Sequence, residues 1–101
     1  MLDWNPQPPY TAEQLLQVIR ILRDPENGCP WDKVQTHASI RKNFLEETCE
    51  ALEAIDADDA DMLREELGDV LMQVAFHVVL EEERGRLNFE QVCREVCEKL
   101  V

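Results

Sequence analysis

Apolar side chains recur at steps of three and four along most of this chain and nowhere alternate at a step of two, so the pattern predicts helices and no strands. Residues 1–10, with Pro6, Pro8 and Pro9, read as an extended lead-in. A first helix opens at Thr11, a good N-cap, with Gln14 as its capping-box partner and Tyr10 and Leu15 at the staple positions. Its stripe is Leu15, Val18, Ile19 and Leu22, and Asp24-Pro25 stops it. Pro25 to Thr36 has no period, and so long a connection in a small domain is more often functional than idle. A second helix runs from about Thr36 or Ser39 to about Asp56, with Ile40, Phe44, Leu45, Leu52 and Ile55 as its apolar face. Asp58-Asp59 caps a third, from about Ala60 to Arg84, which Gly85 ends. A fourth follows the N-cap Asn88, with Gln91 and a Leu87/Val92 staple, and carries the stripe Phe89, Val92, Cys93, Val96, Cys97 and Leu100. The expectation is an all-α, four-helix domain over residues 11–101.

The third helix is the unusual one. From Val70 to Leu80 it is apolar nearly all round, which predicts burial on most sides. One narrow polar stripe, Glu66, Asp69, Gln73 and His77, runs through it, and carboxylates on a buried helix need compensating charge. Gly68 costs a helix interior about 1 kcal/mol relative to alanine, which predicts a close backbone approach beside Asp69. On the second helix Glu46, Glu47 and Glu50 are neighbours at steps of three and four, and like charges so placed repel. That acidic face, Glu53 included, lies largely opposite the helix's apolar stripe, as an ordinary solvated face does. Two helices that each offer a carboxylate pair also match what hard divalent cations require, Mg²⁺ first and Mn²⁺ second. A di-iron bundle is excluded, because it needs Glu-x-x-His and valines stand three residues before both His37 and His77. The pattern alone leaves two readings open, a carboxylate metal site and a solvated acidic surface.

Composition narrows the partners. With 45% hydrophobic residues among 101, the chain builds a core and is one domain's worth of sequence. Its 22 acidic residues against 10 basic ones give −12, which argues against a duplex nucleic acid partner. No apolar run approaches the ~20 residues of a membrane span, and the N-terminus has no signal-peptide character. Cys29, Cys49, Cys93 and Cys97 form no C-x-x-C pair and read as reduced, mostly buried thiols of a cytoplasmic protein.

Glu46-Glu47-x-x-Glu50, fifteen residues, then Glu66-x-x-Asp69 resembles the acidic signature of the all-α nucleoside triphosphate pyrophosphohydrolases. The surroundings narrow this to the MazG type: Cys29-Pro30-Trp31-Asp32-Lys33-x-Gln35-Thr36-His37 precedes the signature, and Glu65-Glu66-Leu67-Gly68-Asp69-Val70-Leu71-x-Gln73-Val74 and Glu98-Lys99-Leu100 follow in order. The resemblance covers about residues 12–101. It implies cleavage of nucleoside triphosphates between the α and β phosphates by a metal-bound water. Glu47, Glu50, Glu66 and Asp69 would be the Mg²⁺ ligands, and Glu46 would orient or deprotonate the water. Among the other matching residues, Trp31 is either a base-stacking platform or a hydrophobic plug, and Lys33 and Lys99 are candidate phosphate contacts, Lys33 alternatively contacting the base. Arg41 and Lys42 are weaker candidates. His77 is expected to hydrogen-bond inside the bundle, and Cys93 and Cys97 to pack in the core.

Four helices with one apolar all round leave more apolar surface than a monomer covers. The expectation is a homodimer, or a dimer of dimers, in which the second and third helices of two chains meet with the carboxylates near the interface. The family's Glu-Lys-Leu helix usually continues into a basic segment, and longer members often carry a second copy of the domain; this sequence stops at Val101. Two further readings therefore stand beside hydrolysis of triphosphates at large. One is a catalytically weak or inactive acidic module that binds nucleotide or dimerises, as part of a longer protein. The other is a phosphohydrolase confined to one nucleotide.

Overall fold

Each helix begins where its cap lies. Thr11 Oγ1 accepts from the Gln14 backbone N–H at 3.2 Å while Gln14 Oε1 accepts from the Thr11 N–H at 2.8 Å, opening α1 (Ala12–Leu22). Thr36 and Ser39 form the same reciprocal pair at 3.2 and 2.8 Å, so of the two predicted starts Thr36 is the cap of α2 (His37–Asp56). Asp59 accepts from the Met62 N–H at 3.0 Å and starts α3 (Ala60–Glu83), and Asn88 with Gln91 boxes the start of α4 (Phe89–Leu100). Gly85, at φ 69°, takes the left-handed turn that ends α3. A short 3-10 turn at Asp32–Val34, unread in the sequence, lies in the long connection. These features belong to a computed structural model that describes residues 8–101, so most of the predicted lead-in lies outside the described residues. Among those described there is no strand, and no helix is long and apolar enough to cross a membrane.

α2 and α3 form an antiparallel hairpin. His37, at the start of α2, meets His77 and Glu81 late in α3, while Glu47 and Glu50 meet Glu66 and Asp69 early in it. α1 lies against the other side of α3, and the core forms from Leu16, Ile19, Ile40, Ala75, Phe76, Val78, Val79 and Leu80. The all-round burial predicted for α3 thus holds from Ala75 to Leu80 except at His77, while Leu71 and Met72 are exposed.

The apolar face of α2 is a correction. Ile40 is buried and Phe44 partly covered as that face requires, but Leu45, Leu52 and Ile55 are 65%, 54% and 56% exposed, and Ala51 and Ala54 are covered in their place. The periodicity identified large apolar residues, but α3 packs on the alanines, whose short side chains let the two backbones approach. The thiols are a second correction. All four are free, but Cys49 and Cys97 are exposed and Cys29 and Cys93 only partly covered. Phe89 and Val92 anchor the start of α4 to the core, and no residue of that helix is buried, which leaves Val96, Cys97 and Leu100 uncovered.

Glycine matters most where α1 turns into the long connection. A Cβ on Gly28 would sit 2.4 Å from the Leu22 carbonyl oxygen and 2.5 Å from that of Asp24, both backbone atoms that cannot swing aside. Gly28 N–H donates to Asp24 O at 2.9 Å and Cys29 N–H to Leu22 O at 2.8 Å, which fixes that approach. Gly28→Ala is expected to cost about 1–3 kcal/mol, lowering the midpoint of thermal unfolding by several degrees at least. An unchanged midpoint would mean that the turn reorganises freely. Gly68, by contrast, faces open space, so the close approach predicted there is not found among the described residues.

Candidate metal centre

The antiparallel pairing of α2 with α3, at the level of Ala51 and Ala54, brings the carboxylates of the two helices together. One oxygen from each of Glu47, Glu50, Glu66 and Asp69 lies within 4.8 Å of all the others. About an octahedral ion bound at ~2.1 Å, ligand oxygens stand ~3.0 to ~4.2 Å apart, so a small inward movement closes the set. The electrostatics are those of an uncompensated cluster. Glu47 is pushed above the usual carboxylate range, first by burial and then by the charges of Glu50 and Asp69. Glu66 is pushed up to about 7, first by burial, then by a hydrogen bond with Glu50 and by the charges of Glu50, Asp69 and Glu47.

Glu47 Oε2 and Glu66 Oε2 are buried with no hydrogen-bond partner. Such atoms cost free energy unless something pairs with them, and a divalent cation supplies the missing charge and contact together. An all-carboxylate donor set suits a hard ion such as Mg²⁺ or Mn²⁺. The residues present fit the group.

Glu46 lies outside this cluster. One residue along the helix rotates it by about 100°, and its exposed carboxylate lies 3.8 Å from Lys42 Nζ. The polar stripe of α3 continues beyond Asp69 as predicted. Gln73 is buried with Oε1 unpartnered. His77 Nδ1 lies 2.6 Å from His37 Nδ1, with the two rings stacked at 4.9 Å, so the hydrogen bond expected inside the bundle exists. Its partner was not legible, since nothing in the spacing pairs residues 37 and 77. His37 Nε2 is in turn 2.6 Å from Glu81 Oε1. Arg86, first, and then His37 hold the Glu81 carboxyl down at about 2, while burial and His37 hold His77 below the usual imidazole range.

Trp31, in the long connection, is 54% exposed and stands edge-on to Phe76 at 6.5 Å between ring centroids. It is therefore not simply a buried plug. Phe76 follows Asp69 by seven residues on α3, which places it on the same face and about 10.5 Å along the axis. Lys33 Nζ reaches the Pro25 carbonyl at 3.4 Å, and its charge contributes to holding Asp24 below the usual carboxylate range, behind the Asn27 and Glu26 N–H groups. Arg41 and Lys99 are exposed and carry no ion pair among the described residues. The other arginines are committed: Arg20 to Glu13 and Glu82, Arg23 to Glu83, Arg64 to Asp61, Arg84 and Arg86 to Glu81, and Arg94 to Glu90. Arg23, which no motif singles out, also donates to the backbone carbonyls of Asp32 and Gln35.

Known proteins resemble this chain over most of its length. The family described as the MazG nucleotide pyrophosphohydrolase domain matches residues 35–101. The chain is 51% identical over 88 residues to a nucleoside triphosphate pyrophosphohydrolase of Escherichia coli (strain K12), covering 87% of this chain and 34% of that protein. It is 48% identical over 89 residues to the nucleoside triphosphate pyrophosphohydrolase/pyrophosphatase MazG of Thermotoga maritima, covering 88% of this chain and 34% of that one. It is also 46% identical over 102 residues to the uncharacterized protein YabN of Bacillus subtilis (strain 168), with 93% of this chain and 21% of that protein covered. The chain thus spans about a third of the length of the first two relatives.

Proposed function

The chain belongs to the MazG nucleotide pyrophosphohydrolase domain family, and from that premise we propose that it hydrolyses ribo- or deoxyribonucleoside triphosphates between the α and β phosphates, releasing monophosphate and pyrophosphate. The observation that carries this reading is the four-carboxylate cluster with its buried, unpartnered oxygens on Glu47 and Glu66. In this reading Glu47, Glu50, Glu66 and Asp69 hold Mg²⁺ or Mn²⁺. The bound cation neutralises phosphate charge and lowers the pKa of water beside it. Glu46, adjacent to the cluster but outside it, takes the proton from the attacking water. Trp31 offers an exposed ring on which the base stacks, and Lys33 and Lys99 meet the phosphate chain.

Phosphorus NMR of the products from a panel of triphosphates, with Mg²⁺ or with chelator, tests this directly. The expected result is metal-dependent monophosphate and pyrophosphate. Diphosphate and free phosphate would overturn the bond assignment. No products from a folded, metal-binding protein would favour the non-catalytic nucleotide-binding module instead.

The same reading includes self-association. Leu45, Leu52 and Ile55 on α2 and Leu67 and Leu71 on α3 lie exposed on the hairpin that carries the cluster. Light scattering at micromolar concentration is expected to give a homodimer or a dimer of dimers, and Leu52→Glu to shift it toward monomer. A clean wild-type monomer would refute the association.

A further inference from the structure

The 3-10 turn at Asp32–Val34 contains no buried residue, and one side chain from outside it reaches both of its ends. Arg23 follows the last turn of α1, and its side chain is only 10% exposed. Nε and Nη2 donate to the two oxygens of Glu83 at 2.6 and 2.8 Å. Nη1 donates to the carbonyls of Asp32 at 2.7 Å and Gln35 at 2.9 Å, the two ends of the turn. The guanidinium carbon also lies 5.6 Å from the centre of the Phe76 ring, to which the Trp31 ring stands at 73°. Gln35 Nε2 closes the arrangement with a 2.8 Å bond to the Trp31 carbonyl.

We propose that Arg23 is a positioning residue for the base end of the substrate: it clamps the 3-10 turn to α3 so that Trp31 stands beside Phe76, two helical turns beyond Asp69. The inference rests on the hydrolase reading for its substrate and on the hydrogen-bond geometry for the clamp. Only a planar fork of five N–H donors serves a carboxylate and two carbonyls at once. Lysine, a single point of charge, cannot span all three. Free of the clamp, Trp31 loses its place against Phe76 and becomes more accessible to solvent, while the carboxylate cluster on the other segments of the hairpin is untouched.

The test uses Arg23→Ala and Arg23→Lys in a Trp4→Phe background, so that Trp31 is the one remaining tryptophan. Acrylamide quenching of its fluorescence, without substrate, is expected to rise in both variants while helical circular dichroism is kept. With triphosphate and Mg²⁺, KM is expected to rise about tenfold, the scale of one lost base–aromatic stack, and kcat to stay within about twofold. A merely structural arginine would lower the active fraction, and so kcat, while leaving KM and the quenching of the folded protein unchanged; that result overturns the proposal. If Arg23→Ala does not fold, Arg23→Lys carries the same two readouts. Raised quenching in a protein whose wild type hydrolyses nothing would leave the clamp standing and refute the hydrolase reading alone.

Discussion

Replacing Glu50 with glutamine is expected to cut turnover by at least about a hundredfold while making the metal-free protein more stable. Even outer-shell partners of metal ligands cost 10–100-fold when removed, and Glu50 is itself one of the four proposed ligands. The opposite sign for stability follows from the cluster's electrostatics. After burial, the charge of Glu50 does most to raise Glu47, and Glu50 raises Glu66 through both a hydrogen bond and its charge. Glutamine keeps the shape and removes that repulsion. Product release and thermal unfolding in chelator, measured on the same preparation, check both halves. Retained turnover would remove Glu50 from the ligand set. Lost turnover with lowered stability would mean that the variant merely damages the fold.

Divalent cation is expected to stabilise the protein strongly, and more so as pH rises. At a hundredfold excess over the dissociation constant, binding to the folded state alone contributes about 2.7 kcal/mol, or about 10–20 °C for a domain of this size. The pH dependence runs in opposite directions with and without the ion. Because Glu66 is raised from its ordinary 4.5 to about 7, the metal-free folded chain holds that proton more tightly than the unfolded chain does. Its contribution is therefore fully present below about 4.5 and is lost as pH rises through about 7. Cation binding needs the ligands deprotonated, so the stabilisation by Mg²⁺ or Mn²⁺ grows over the same interval. Unfolding curves at pH 5.5 and 8, with metal and with chelator, should diverge. Identical midpoints at pH 8 would refute the metal site.

The sequence showed the helices and the acidic cluster more clearly than it showed what covers them. Capping boxes are local chemistry between residues three apart, so Thr11 with Gln14 and Asn88 with Gln91 could be read directly, and Thr36 with Ser39 only needed the choice between two starts. The carboxylates were legible because their spacing puts them on one face of each helix. Packing is a different kind of information. Periodicity marks Leu45, Leu52 and Ile55 as apolar, but it does not say that α3 lies against Ala51 and Ala54 instead. Contacts far apart in sequence were invisible for the same reason. The His37–His77 pair spans 40 residues and the Arg23–Glu83 pair 60, and neither leaves a mark in local pattern. Gly68 shows the limit of a local rule, since a helix-interior glycine suggested crowding and the structure places it in open space.

The ion pairs have a kinetic consequence. Most arginines are engaged by carboxylates of the same chain, so few positive groups face outward, and the net charge of −12 repels an approaching polyanion. Encounter is therefore slowed by long-range repulsion rather than hastened by steering. Dissolved ions screen that repulsion beyond about 10 Å at 0.1 M. On the proposed function, capture of nucleotide is expected to speed up with ionic strength, the reverse of the behaviour of oppositely charged partners.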